Sequence, residues 1–211
     1  MYIGDQIRFN YVAANFPVAK TKRERCLDLG CGNQIYKILA EACGYIYECF
    51  DKSPVNNEVK KCDLDNEEEI INLIKQEFYS VILCIDVLEH LKNPLMLLSY
   101  LSDLLNTHGR LIIHVPNTNQ THLLIEPKKN EDHKTSGFEP LQIEGILGKF
   151  FATGKLRITP TFKWNEAVAW DLNYILSQEF GKEKLLREGI EKLINFKHNF
   201  VPYGLLIIGN K

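Results

Sequence analysis

Short apolar runs alternate with segments of helical spacing through the first half of the chain. Arg25-Cys-Leu-Asp-Leu-Gly30 reads as a strand running into a glycine turn, and residues 35–43 read as a helix with Ile35, Ile38, Leu39 and Ala42 on one face, closed by Gly44. Residues 45–50, aromatic and β-branched, predict a strand ending at Asp51, and residues 59–64 a short, weak one ending near Asp63. Asn66 is placed to cap a helix whose first turn is Glu67-Glu68-Glu69 and whose buried face is Ile70, Ile71, Ile74 and Phe78. Residues 79–85 form a near-continuous apolar run, suited to a strand covered on both faces. Asn93-Pro94 starts a helix with Leu97, Leu98, Leu101, Leu104 and Leu105 inward, predicted to stop at Gly109, and residues 110–115 make another buried strand before Pro116.

This alternation predicts right-handed βαβ crossovers: an α/β, doubly wound, mostly parallel sheet with helices on both faces. The second half is less regular. Residues 118–139 are polar and read as a long loop, and Pro140 opens a helix with Ile143, Ile146, Leu147 and Phe150 on one side. A strand is expected over 155–159, helices over 166–180 and 183–194, and a final apolar strand over 203–209. We therefore expect one domain over residues 1–211, with a helical insertion at 161–200 forming a lid over an acceptor site.

Composition narrows the class. A chain of 211 residues, 45% hydrophobic and 25% charged, is that of an ordinary globular domain. The formal net charge of -2 supplies no global attraction to nucleic acid or anionic lipid. No run approaches the roughly 20 apolar residues of a membrane span, and nothing at the N-terminus has the pattern of a signal peptide. The six cysteines form no CxxC pair, and several lie in strand-like runs. Buried reduced thiols, and hence a cytoplasmic setting, are expected. The sequence does not fix an oligomeric state.

In such a sheet ligands bind beyond the carboxyl ends of the strands. The first strand ends Asp28-Leu-Gly30-Cys-Gly32, where glycines allow close backbone approach. Asp51, 23 residues after Asp28 at the end of the second strand, is placed to accept both hydroxyls of a ribose. Asp63 with Leu64 suits an adenine amino group and ring. A dinucleotide would need a third glycine where Ile35 stands, and its pyrophosphate would meet repulsion from Asp28. A ligand with a sulfonium and an amino-acid end tolerates Asp28 better.

Leu27-Asp-Leu-Gly-Cys-Gly32, Phe50-Asp51, Cys62-Asp63 and Asp86-Val-Leu-Glu-His-Leu91, followed by Asn93-Pro94, resemble the class I S-adenosylmethionine-dependent methyltransferases. The segment 109–117 is similar to that family's fifth strand. The resemblance implies a Rossmann-like methyltransferase fold of seven strands with the last antiparallel, S-adenosyl-L-methionine as cofactor, and contacts from Asp28, Gly30, Gly32, Asp51, Lys52, Asp63, Leu64, Ile85 and Asp86. Gln34 departs from the pattern, standing where the family usually has a third glycine.

For the chemistry, His90 and His133 are the candidate catalytic bases, while His114 reads equally well as a satisfied core histidine. The leading expectation is a small-molecule or glycan-type acceptor methylated at oxygen. A second is a metal-dependent RNA 2'-O-methyltransferase, because Asp86, Glu89, His90 and the Asp132-His133 pair resemble the metal-binding set of small-RNA 3'-terminal enzymes. A third is a non-catalytic cofactor-binding module. The insertion carries Phe162, Trp164, Trp170 and Tyr174. Trp170 is expected to be packed, and either Phe162 or Trp164 to line the pocket.

Overall fold

The computed structural model describes residues 3–74, 78–118, 134–135, 137–152, 154–177 and 201–211. Seven strands form one sheet: β1 (Arg25–Leu29), β2 (Ile46–Asp51), β3 (Lys60–Lys61), β4 (Tyr79–Ile85), β5 (Leu105–Pro116), β6 (Leu156–Thr161) and β7 (Gly204–Asn210). Their order is β3-β2-β1-β4-β5-β7-β6. The pairs from β3 through β5 are parallel, and β7 runs antiparallel to both β5 and β6. The doubly wound sheet with an antiparallel last strand is the predicted architecture, and the late β6–β7 pair stands where expected. Helix α6 (Trp164–Ser177) lies between those two strands, while the helix predicted over 183–194 falls outside the described residues.

Alternate side chains of the central strands feed two cores. Ile82, Cys84 and Ile113 pack with α3 (Glu67–Ile74), α4 (Pro94–Leu104) and α5 (Pro140–Leu147) through Ile70, Leu73, Leu97, Leu101 and Ile143. Val81, Leu83 and Ile112 pack on the other face, against α1 (Ile3–Ala13) and α2 (Lys37–Ala42) through Val12 and Ala40. Both faces of the sheet are covered, which is why its strands read as unbroken apolar runs.

Several expectations change in detail. Helix α1 was not predicted: Gly4, Asp5 and Arg8 interrupt its apolar spacing, and only Gly4 and Val12 are buried. In α2 the inward face is Tyr36 and Ala40, with Ile38 72% exposed and Ala42 also outside. Ile35 and Leu39, predicted on the buried face, do pack partly buried against the same core. Phe78, assigned to the buried face of α3, is 66% exposed, because it lies beyond that helix and immediately before β4. Helix α4 ends at Leu104 rather than Gly109, and the chain passes directly into β5 with a break in register, Tyr79 facing Leu105 and Val81 facing Arg110. The Asn93 cap is as expected: its side chain accepts from the Met96 N–H at 3.3 Å, with Pro94 opening the helix. Asn93→Ala should cost about 1 kcal/mol in a denaturant melt.

The six cysteines are free thiols and all but Cys43 are buried. Among the described residues, no helix is long and apolar enough to cross a membrane.

Candidate active site

Strand order reverses between β1 and β4, so the crevice at their carboxyl ends is the natural ligand site. After β1 the chain turns through left-handed backbone at Gly30 (φ 67°), Gly32 (φ 48°) and Gln34 (φ 57°). A Cβ on Gly30 would lie 2.5 Å from Val87, so the loops after β1 and β4 touch at this glycine. A Cβ on Gly32 would meet nothing within 4 Å: the space above it is open. Gln34 keeps the left-handed conformation that a glycine would adopt. Its side chain turns aside, with Nε2 donating to Cys49 Sγ at 3.1 Å and Oε1 accepting from Asn56 at 3.2 Å. The departure from the family pattern therefore leaves the turn in place.

Asp51 ends β2 half-buried, its Oδ2 accepting the Gly32 N–H at 3.0 Å and Oδ1 the Ser53 N–H at 2.8 Å. Each oxygen keeps a further lone pair. Two residues past β3, Asp63 is ion-paired with Lys52 (2.8 Å) and accepts from the Asp65 N–H at 3.0 Å. Those two hydrogen bonds hold its carboxyl below the usual range. Leu64 is buried beside it. Asp28 lies deeper, 2% exposed, and accepts from the Tyr47 hydroxyl at 2.7 Å. Burial pushes its pKa up to about 7, Asp51 adds to the rise, and the Tyr47 bond opposes it.

Beyond β4 lies a chain of charged and polar groups that sequence reasoning only partly foresaw. Asp86 follows Ile85 with φ 52°, a left-handed conformation that aspartate tolerates. One of its oxygens contacts His114 Nδ1, and the other contacts Arg8 Nε at 3.0 Å. His114, on β5 and 3% exposed, has its Nε2 2.9 Å from Thr161 Oγ1 at the end of β6. Both imidazole nitrogens are thus engaged, and His114 is a satisfied buried histidine that positions Asp86. Burial works to raise the Asp86 pKa, but His114 and Arg8 outweigh it and hold the carboxyl low. Arg8 also pairs with Asp5 and lies 5.9 Å from the Phe162 ring centroid, so the overlooked α1 supplies the cation of this cluster.

Glu89 sits in the 3-10 turn Leu88–His90, 1% exposed. Its carbonyl accepts the N–H groups of Lys134 (2.7 Å) and Thr135 (3.2 Å). Burial first, and then Asp86, push its carboxyl up to about 8. His90 is half-buried in the same turn, its N–H bonded to the Val87 carbonyl at 3.0 Å. His133 and Asp132 lie outside the described residues, and among those described no group of three His, Cys, Asp or Glu is arranged to hold a metal. In the insertion, Trp170 packs against Phe162 (5.0 Å) and Tyr203 (5.6 Å). Phe162, 2% exposed, is part of that packing. Tyr174 has no described side chain.

This fold and this crevice define a Rossmann-like α/β methyltransferase architecture. A family model described as a methyltransferase domain matches residues 6–152, and the chain belongs to that family. It is similar in structure to a SAM-dependent methyltransferase from Archaeoglobus fulgidus, with 19% identity over 98% of this chain and 94% of that one and a TM-score of 0.68. A second likeness is to Haemonchus contortus phosphoethanolamine N-methyltransferase 2, solved with S-adenosyl-L-methionine: 15% identity, TM-score 0.59, covering 97% of this chain and 52% of that one. A third is to the [4+2]-cyclase SpnF, at 10% identity and a TM-score of 0.59, over 96% of this chain and 80% of that one. The cyclase is a reminder that a shared fold does not fix the reaction. No curated protein matches the sequence.

Proposed function

We propose that this methyltransferase-domain protein takes S-adenosyl-L-methionine as methyl donor and methylates a small-molecule or glycan-type acceptor at oxygen. The observation that carries the cofactor assignment is the Gly32–Asp51 pair. An open left-handed glycine stands beside a carboxylate whose two oxygens are fixed by backbone N–H groups and retain lone pairs for a ribose diol. Leu64 and Asp63 suit the base. When bound, the cofactor supplies a sulfonium-activated methyl group, so alignment is the protein's main task. Asp86, clamped by Arg8 and His114, keeps the loop after β4 in one conformation opposite the glycine turn. Helix α6 braces α1 through the Tyr11 hydroxyl, which donates to Glu166 at 2.9 Å, and we read the pair as the cover over the acceptor side. His90 and His133 are retained as candidate bases.

The charge at the strand ends favours a small acceptor over RNA. Asp51, Asp63 and Asp86 gather there, and the buried Asp28 and Glu89 add negative charge as the pH rises, a poor environment for a polyanion. A metal at Asp86 would also have to displace both Arg8 and His114.

Calorimetric titration tests the reading. S-adenosylmethionine and S-adenosylhomocysteine should both bind and NAD⁺ should not, and turnover on an acceptor panel should be indifferent to EDTA. Binding of NAD⁺, or of none of the three, overturns the cofactor assignment. Loss of activity with EDTA would favour the metal-dependent RNA reading, and tight binding without turnover on any acceptor would favour the non-catalytic one.

A further inference from the structure

Leaving aside the Arg25–Glu48 ion pair, three buried side-chain polar atoms have no hydrogen-bond partner among the described residues: Tyr36 Oη, Glu89 Oε2 and Thr135 Oγ1. Two of them belong to side chains almost wholly removed from solvent, Tyr36 at 3% and Glu89 at 1% exposed. A buried polar atom without a partner is costly, so both groups stand ready to take a hydrogen bond from a bound molecule.

Their positions are not independent. Tyr36 stands at the start of α2, directly after the glycine turn, its ring stacked on Phe9 at 5.9 Å. Glu89 follows β4 in the loop that touches that turn at the Gly30–Val87 contact. Arg8, next to Phe9 in the chain, reaches Asp86 at 3.0 Å, and Asp86 lies three residues before Glu89 in the segment after β4. They therefore stand on the two sides of the crevice between β1 and β4. Thr135 is tied to Glu89 by the 3.2 Å bond to its carbonyl and adds a third unsatisfied group on the acceptor side.

We propose that Glu89 and Tyr36 form the subsite for the acceptor's nucleophilic atom, a protic hydroxyl or amine that hydrogen-bonds to both. The inference rests on the methyltransferase reading and deepens it. A carbon or thioether nucleophile would leave both polar groups unsatisfied, and a phosphate or carboxylate would face Asp86 and Glu89. A hydroxyl can donate to the carboxyl and accept from the phenol, and an amine can donate to both oxygens.

The test needs no identified acceptor. Sinefungin, the cofactor analogue in which a C–NH₃⁺ group replaces S⁺–CH₃, places an amine at the point of methyl transfer. S-adenosylhomocysteine has nothing there. By calorimetry the wild-type chain should prefer the amine analogue by on the order of tenfold. Glu89→Gln should erase that preference while leaving S-adenosylhomocysteine affinity within about twofold, and Tyr36→Phe should reduce it by roughly threefold. The homocysteine product is the internal control for folding, and Tyr36→Phe carries the test if Glu89→Gln does not fold. No preference in wild type, or the same preference in the folded variants, overturns the proposal alone. Failure of every cofactor form to bind takes down the methyltransferase reading as well.

Discussion

Gly32→Ala should leave the protein folded and all but abolish cofactor binding, whereas Gly30→Ala, two residues earlier, should first of all destabilise the fold. Both glycines have positive φ, so alanine costs roughly 1–2 kcal/mol of backbone strain at either one. The difference lies in what the new methyl would meet. At Gly30 it would sit 2.5 Å from one Val87 methyl and 3.3 Å from the other, a clash between the loops after β1 and β4. Overpacking of that kind adds about 1–3 kcal/mol, which at this chain length lowers the melting temperature by roughly 2–12 °C beyond the strain. Val87→Ala in the same chain should recover much of the loss. At Gly32 the methyl would meet no protein atom within 4 Å and would instead fill the space beside Asp51 that we assign to the cofactor. We expect a loss of at least tenfold in S-adenosylhomocysteine affinity, with a melting temperature lower by only a few degrees. Equal effects of the two substitutions on stability, with binding retained by Gly32→Ala, would show that the open space is not the ligand's.

That contrast marks what could be read without coordinates. Gly30 and Gly32 stand out in the sequence because a strand runs straight into them, Asp51 because it closes a strand, and Asp63 because it follows one by two residues. The buried strands β1, β4 and β5 were legible for the same reason, their covered faces leaving uninterrupted apolar runs. Arg8 was not. Helix α1 buries too little apolar surface to show a period, and the residue it adds to the cluster is an arginine whose partner, Asp86, is 78 positions away in the chain. Tyr36 and Tyr47 read as ordinary aromatics. Only the fold reveals that one hydroxyl engages Asp28 and the other engages nothing described. His114 illustrates the opposite difficulty. Alternation within β5 marks it as inward-facing, but the choice between core and base depends on Asp86 and Thr161, which come from two other segments. Ile38 and Ala42 lie on the side of α2 away from the buried Ala40, and Phe78 lies beyond the end of α3, so neither departure disturbs the packing of Ile35 and Leu39.

The second large effect concerns pH. Stability should fall as the pH rises from about 4 towards 8. Asp28 is raised from its ordinary value to about 7 and Glu89 to about 8, in both cases chiefly by burial. A group whose pKa is higher in the folded protein than in the unfolded chain binds its proton more tightly when folded. Its contribution is complete at low pH and is lost as the pH climbs through the folded value, here across about pH 4–8. Shifts of this size correspond to on the order of 4–5 kcal/mol per group. Asp63 and Asp86 act in the opposite sense, held low by their cationic partners, and their contribution disappears only as the solution becomes strongly acidic. Denaturant melts of the unliganded protein at pH 5, 6.5 and 8 check the slope, and Asp28→Asn, which keeps an acceptor for the Tyr47 hydroxyl, should flatten it by about half. A slope of the opposite sign, or one unchanged by Asp28→Asn and Glu89→Gln, would mean that these carboxyls ionise freely in the folded protein. The same free energy bears on the proposed function. Two carboxyls held neutral by burial become costly anions as the pH rises, and a cationic sulfonium or ammonium placed among them offsets that cost. S-adenosylmethionine should therefore raise the melting temperature more at pH 8 than at pH 5, whereas uncharged-sulfur S-adenosylhomocysteine should show much less of this dependence.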